Sequence, residues 1–205
     1  MQREVFYRKW STLHGDAQIA GIVRAWLSIS FQCARFMSAL RISPNLLTLL
    51  GVVAAGLMTW KPFSLLAIVL LVLSLFADGV DGSVAIYQER ESNWGATLDS
   101  IADRVSEALW LYVAYKVGVE PWLVISLWAL ASTQEYARAR AASLGHSVIT
   151  VITPAERPVR ASAIFILLVG VYTGISHIEY VAYGLLALQL FSFFLVMRNA
   201  YLSLK

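Results

Sequence analysis

The chain has 205 residues, 59% hydrophobic and 14% charged, with a mean hydropathy of +0.66 and a formal net charge of +3. A soluble domain carries about a quarter charged residues, so this composition excludes an ordinary soluble enzyme and implies an all-α, polytopic membrane protein. The positive balance makes no case for nucleic acid, because in a membrane chain the position of each cation outweighs the total. The single cysteine, Cys33, excludes an internal disulfide and a thiolate metal site.

Residues 1 to 18 are polar, carry Arg3, Arg8 and Lys9, and lack the apolar core of a cleavable signal, so they are expected in the cytoplasm. From Ile19 to Leu40, apolar residues including Ile22, Trp26, Ile29 and Phe36 recur at helical spacing, with Arg24, Gln32 and Arg35 between them. Charges midway along a span are rare, so this segment reads as an amphipathic helix in the membrane interface. Ser43-Pro44-Asn45 marks a helix start.

Six spans are predicted after it: Leu46 to Trp60, Phe63 through Phe76 and on into Asp78 and Asp81, Gly95 or Thr97 to Val117, Pro121 to about Leu144, Ala161 to Thr173, and Ile178 to Val196. The first is short against the roughly 20 residues a bilayer requires, so snorkelling flanks or local thinning must help. Residues 1–42 then form a peripheral segment and 43–205 a six-helix membrane domain. Under this topology only Lys61 and Lys116 fall on the far side, with the other fourteen Lys and Arg on the side of both termini. The positive-inside rule makes that side cytoplasmic.

The chain has five aspartates, and four of them, Asp78, Asp81, Asp99 and Asp103, lie within one otherwise apolar stretch. On helices, spacings of three and four residues put each pair on one face. Two antiparallel helices joined between Gln88 and Asn93 would bring all four together. Carboxylates crowded away from water need compensating cations or protons. Hard oxygen donors without Cys or His favour Mg²⁺ or Mn²⁺ over Zn²⁺, and such ions serve phosphate chemistry.

The segment resembles the signature of the CDP-alcohol phosphotransferases, D-x-x-D-G-x-x-A-R, eight residues, then G-x-x-x-D-x-x-x-D. Asp78, Asp81, Gly82, Ala85, Gly95, Asp99 and Asp103 fall on it, and Ile86 stands where the signature has Arg. Arg90 is one helical turn further on. The resemblance implies that Asp78, Asp81, Asp99 and Asp103 hold two Mg²⁺ or Mn²⁺ ions, with Asp103 also the base that takes the acceptor hydroxyl proton. Gly82, Ala85 and Gly95 would let the nucleotide of CDP-diacylglycerol approach the helix backbone. It also implies an integral membrane enzyme of phospholipid synthesis whose site faces the cytoplasm, surrounded by membrane lipids, and a homodimer.

Downstream, Tyr136, Arg138, Ala139, Arg140 and Ala141, then Glu156, Arg157, Pro158 and Arg160 resemble segments of the actinobacterial phosphatidylinositol phosphate synthases within that family. There the basic residues bind the phosphate of inositol phosphate. The resemblance makes Arg138, Arg140, Arg157 and Arg160 candidate acceptor-phosphate ligands, with inositol phosphate the first expected acceptor and glycerol phosphate the second. Flanking cytoplasmic charge is the competing reading for any one of them.

Glu107, one turn beyond Asp103, is either a partner of the aspartates or the mate of Arg104 or another cation. Glu135 is either half of a structural ion pair or a holder of the acceptor-site arginines. His14, His146 and His177 have no metal-ligand spacing, and tryptophans such as Trp60, Trp94 and Trp122 suit interface anchoring. Two other readings compete with the transferase: a divalent-cation transporter, and a catalytically silent homologue, the latter prompted by Ile86.

Overall fold

Long apolar runs punctuated by proline, glycine and short polar turns leave the backbone little choice but helix, and in a computed structural model of the chain the described residues form helices joined by short turns. It describes residues 1–13, 15–145 and 152–205, so His14, His146 and part of the loop before Arg160 lie outside the described residues. Eight helices are described: α1 (Arg3–Leu13), α2 (Gly21–Ala39), α3 (Pro44–Met58), α4 (Leu65–Gln88), α5 (Asn93–Lys116), α6 (Pro121–Ser143), α7 (Arg157–Thr173) and α8 (Tyr180–Leu204). α2 to α8 fall on the segment from Ile19 to Leu40 and the six predicted runs in order, with α4 and α8 continuing to Gln88 and Leu204, well past the expected ends at Asp81 and Val196. The polar N-terminal segment, for which no element was predicted, contains α1, a helix of 11 residues.

Of these, α4 and α8 are long and apolar enough to cross a membrane, and α2 with α3 pass together as a pair bent by 106°. α3 and α7 have 15 and 17 residues, below the roughly 20 that span a hydrocarbon core. α5 carries Asp99, Asp103, Arg104 and Glu107, and α6 carries Glu135, Arg138 and Arg140, which dilute their apolar character.

The described chain divides into two compact units. The first comprises Met1–Ala55 and Val72–Ser106. Here α2 ends where Arg41 adopts the left-handed conformation (φ 59°) and the Ile42 N–H donates back to the Met37 carbonyl at 3.0 Å. This closure satisfies the last carbonyls of a helix, and Pro44 then opens α3. The Gln88 amide donates to the Ile42 carbonyl at 2.7 Å, tying the end of α4 to that corner. Ala34, Leu47, Val80 and Val84 form a small core behind it. α3 and α4 approach so closely that a Cβ on Gly51 would lie 3.2 Å from the Ser74 carbonyl oxygen.

The second unit comprises Gly56–Leu71 and Glu107–Lys205. α8 packs on α6 and α7. Buried Gln189 donates to Gln134 across the α6–α8 contact at 3.0 Å, and Gly170 lets Ile178 close on α7, where any Cβ would clash. Lys116 donates to the Thr59 carbonyl at 3.2 Å, so the far ends of α3 and α5 meet.

Candidate functional site

α4 and α5 are joined by only four residues, which turns them antiparallel and brings their aspartates together. Carboxylate oxygens of Asp78, Asp99 and Asp103 all lie within 4.8 Å of one another. Asp81 is buried, 5% exposed. Its oxygens accept hydrogen bonds from the Thr48 hydroxyl and, at 2.6 Å, from the Gly82 N–H. Thr48 belongs to α3 and is a site residue that sequence reading missed. A threonine within an apolar helix carries little signal until its partner 33 residues away is known.

Asp78, Asp81 and Asp99 line one cavity of about 620 Å³ with Gly82, Ala85, Gly95 and Asn45. A Cβ on Gly82 would meet nothing within 4 Å, so this glycine opens a bare stretch of helix to the cavity. Gly95 serves differently. Its N–H donates to Ser92 Oγ at 3.0 Å, and a Cβ there would stand 3.1 Å from that hydroxyl and 3.5 Å from Asn45 Oδ1. Arg90 and Ile86 line the same cavity, and Ile86, 3% exposed, also belongs to an apolar cluster with Phe6 and Phe31.

The donor set fits a hard divalent cation. Three carboxylates converge within one ion's reach and a fourth lies beside them, all oxygen, without thiol or imidazole. Asp103 also lies 3.9 Å from Arg104.

In the second unit, the four arginines singled out by sequence have distinct surroundings. Arg160 is 4% exposed, and its guanidinium donates to Glu107 and, at 2.6 Å, to the Ala155 carbonyl. Glu135 lies 3.6 Å from it. Arg138 forms a two-pronged pair with Glu156 at 2.7 and 2.9 Å and reaches Glu135 at 3.5 Å. Arg157 lies over the buried Trp110 ring, 5.2 Å from its centroid. Arg140 is exposed and bonds Ser143 at 3.3 Å. Glu107 is thus the mate of Arg160, and Glu135 bridges Arg160 and Arg138. Trp60, Trp94 and Trp122 are exposed at helix ends, as anchors would be. His177 is exposed beside Glu179.

Glu156 closes the loop before α7. Burial alone would raise its pKa, but hydrogen bonds from Arg138 and from the Thr153 N–H and hydroxyl outweigh it and hold the carboxyl at about 2 against an ordinary 4.5. A lowered folded-state value stabilises the fold above the unfolded pKa, and that contribution is lost as pH falls toward the folded one. The expected result is that the Tm gap between the native chain and Glu156→Gln is widest near neutrality and narrows below pH 4.5. A gap independent of pH between 6 and about 3 would refute the charge-based role.

An archaetidylinositol phosphate synthase of Aeropyrum pernix is 41% identical over 118 residues, covering 56% of this chain and 61% of that protein. A phosphatidylinositol phosphate synthase of Streptomyces avermitilis is 33% identical over 147 residues, covering 64% and 59%. A CDP-diacylglycerol–glycerol-3-phosphate 3-phosphatidyltransferase of Cereibacter sphaeroides is 30% identical over 150 residues, covering 68% and 67%. The chain therefore spans about three fifths of the first two relatives. A crystal structure of the Mycobacterium tuberculosis phosphatidylinositol phosphate synthase with CDP-DAG bound shares the fold, with a TM-score of 0.67 at 18% identity over 85% of this chain and 94% of that one. The sequence model of the CDP-alcohol phosphatidyltransferases matches residues 41–197, the stretch that holds all four aspartates, and the chain belongs to that family.

Proposed function

We propose that this protein transfers the phosphatidyl group of CDP-diacylglycerol to the hydroxyl of a phosphorylated polyol, releasing CMP. Inositol phosphate is the first candidate acceptor and glycerol 3-phosphate the second, in keeping with what the named relatives make. The observation that carries the reading is the convergence of Asp78, Asp99 and Asp103, two of which, Asp78 and Asp99, line with Asp81 a cavity onto which side-chain-free Gly82 opens.

Asp78, Asp81, Asp99 and Asp103 would hold Mg²⁺ or Mn²⁺, two ions by family resemblance. The bound ions would neutralise the pyrophosphate and the charge growing on the oxygen that leaves with CMP. Thr48 and the Gly82 N–H fix the Asp81 carboxylate, so its orientation is set before substrate arrives. Asp103 takes the acceptor's hydroxyl proton as that oxygen bonds the lipid-side phosphorus and the bond to the CMP oxygen breaks. Gly82 and Ala85 leave room for the nucleotide against α4.

For the acceptor phosphate we assign Arg138, Arg140, Arg157 and Arg160 together. Arg138 and Arg160 also hold Glu156, and Glu107 and Ala155, which fixes the frame of the site. Arg suits the role because its planar fork matches phosphate oxygens. Residues 43–205 would form a six-span domain in a bacterial-type inner membrane, with α2 lying in the interface. The 106° turn into α3 is the bend that an interfacial helix feeding a span requires. The aspartates would face the cytoplasm, and the chain would work among membrane lipids as a homodimer. Burial of Ile86 against Phe6 gives the signature departure a packing role, which weakens the case for a silent homologue.

The test is turnover of CDP-diacylglycerol by the purified chain with Mg²⁺ or Mn²⁺ and a panel of acceptors. Release of CMP with inositol phosphate or glycerol 3-phosphate is expected, and metal uptake into proteoliposomes without CMP release would replace this reading with a transporter. In the same assay Arg157→Ala is expected to raise the acceptor KM by about tenfold or more, the worth of one charge-assisted hydrogen bond, with a much smaller change for the donor. An unmoved acceptor KM removes Arg157 from the phosphate site.

A further inference from the structure

The matched family region begins at residue 41, yet the two helices before it help to wall the acidic cavity. Trp10 and Leu13 of α1 and Trp26 of α2 line it together with the aspartates. An isolated helix of 11 residues is marginal in water, so α1 owes its order to what it touches. Phe6, with no exposed surface, sits in a cluster with Leu27, Phe31 and Ile86, and Trp10 packs against that cluster. The Phe6 and Phe31 rings meet edge to face at 5.3 Å. The Tyr7 and Ser28 hydroxyls are hydrogen-bonded at 2.8 Å. Two residues beyond Tyr7, Lys9 pairs with Glu89 at 3.1 Å and lies 3.9 Å from Glu91.

These clamps depend on a departure from the signature. Ile86 occupies the position of the signature's Arg, and a guanidinium among Phe6, Leu27 and Phe31 would be a charge in an apolar cluster. α2 is held by a second departure-tolerant position, since Gly79 falls where the signature is unspecified. A Cβ there would lie 2.9 Å from the Trp26 ring.

The geometry points to α1 as part of the donor site, with the Trp10 indole as the face on which the donor's nucleobase stacks. The inference rests on the donor assignment made above. The Lys9 pairs place α1 at the polar turn between α4 and α5, where Arg90, Ser92 and Asn93 also line the cavity. A flat, hydrogen-bonding ring suits that end; acyl chains do not. Asp81 and Ile86 are five residues apart on α4, a rise of about 7.5 Å. The acidic and aromatic ends are therefore separated on the scale of one nucleotide, phosphates at one end and base at the other. Indole faces stack any base without reading its edge, and the nearby polar side chains can supply the hydrogen bonds.

The probes are CMP, which has the base but no lipid, and CDP-diacylglycerol, each titrated in detergent with Mn²⁺ present. Trp10→Ala is expected to weaken both by a similar factor, on the order of tenfold, while Trp10→Phe retains most of the affinity. CMP affinity unchanged in Trp10→Ala overturns the proposal. So does a loss confined to CDP-diacylglycerol, which would make the wall a lipid contact, or an equal loss in Trp10→Ala and Trp10→Phe. A native chain that binds neither probe brings down the donor assignment itself, an outcome distinct from native binding that Trp10 does not influence.

Discussion

Asp99→Asn and Asp103→Asn are each expected to cut CMP release from CDP-diacylglycerol by at least about 10³-fold, since each removes several kcal/mol of charge stabilisation. The same Asp99→Asn change should make the metal-free protein more stable. Oxygens of Asp78, Asp99 and Asp103 lie within 4.8 Å of one another, and two like charges at that distance repel by roughly 1–4 kcal/mol at surface-like screening. Replacing one carboxylate with an amide of the same shape relieves part of that repulsion, a gain of a few degrees in Tm for a chain of this size. Divalent metal should raise the Tm of the native chain more than that of the variant, because a ligand stabilises the state that binds it. Activity lost, metal-free stability gained and metal response diminished together identify a cation site. Full activity in either variant, or a metal-free Tm that falls, would sink the assignment.

The aspartate cluster was legible in the sequence because the information is local. Spacings of three and four residues on two helices, with a turn too short for anything but a hairpin, decide which side chains converge. The helix runs were legible for a similar reason, with Pro44 and Pro121 at the starts of α3 and α6 and Gly174 in the left-handed conformation just past α7. What the sequence concealed depends on partners far away in the chain. α1 is polar on average, and its helix is held by Leu27, Phe31 and Ile86 rather than by its own propensity. Thr48 gains its role only from Asp81. The pairing of Arg160 was hidden in the same way, since the carboxylate that engages it is 53 residues earlier. Local pattern finds which groups are chemically rare; only packing says which are already paired.

That pairing gives the second large effect. Glu107 and Arg160 are 2% and 4% exposed, and Glu107→Gln keeps the shape while leaving the guanidinium without its carboxylate. Removing one partner of a buried pair costs about 3–5 kcal/mol, a fall in Tm of roughly 6–20 °C at this chain length. Glu135, 3.6 Å from Arg160, can absorb part of the charge, which sets the loss toward the lower end. The double variant Glu107→Met with Arg160→Met should recover most of the lost stability, because apolar groups of similar volume replace a buried pair at little cost. Acceptor affinity should not recover with it. The chain Glu107–Arg160–Glu135–Arg138–Glu156 runs from α5 through α6 to the start of α7, next to Arg157, whose direction it would set. A double variant that is stable but keeps a native acceptor KM would reduce this network to scaffolding. One that is stable with an acceptor KM raised as in Arg157→Ala would make it the frame on which the phosphate-binding arginine is held.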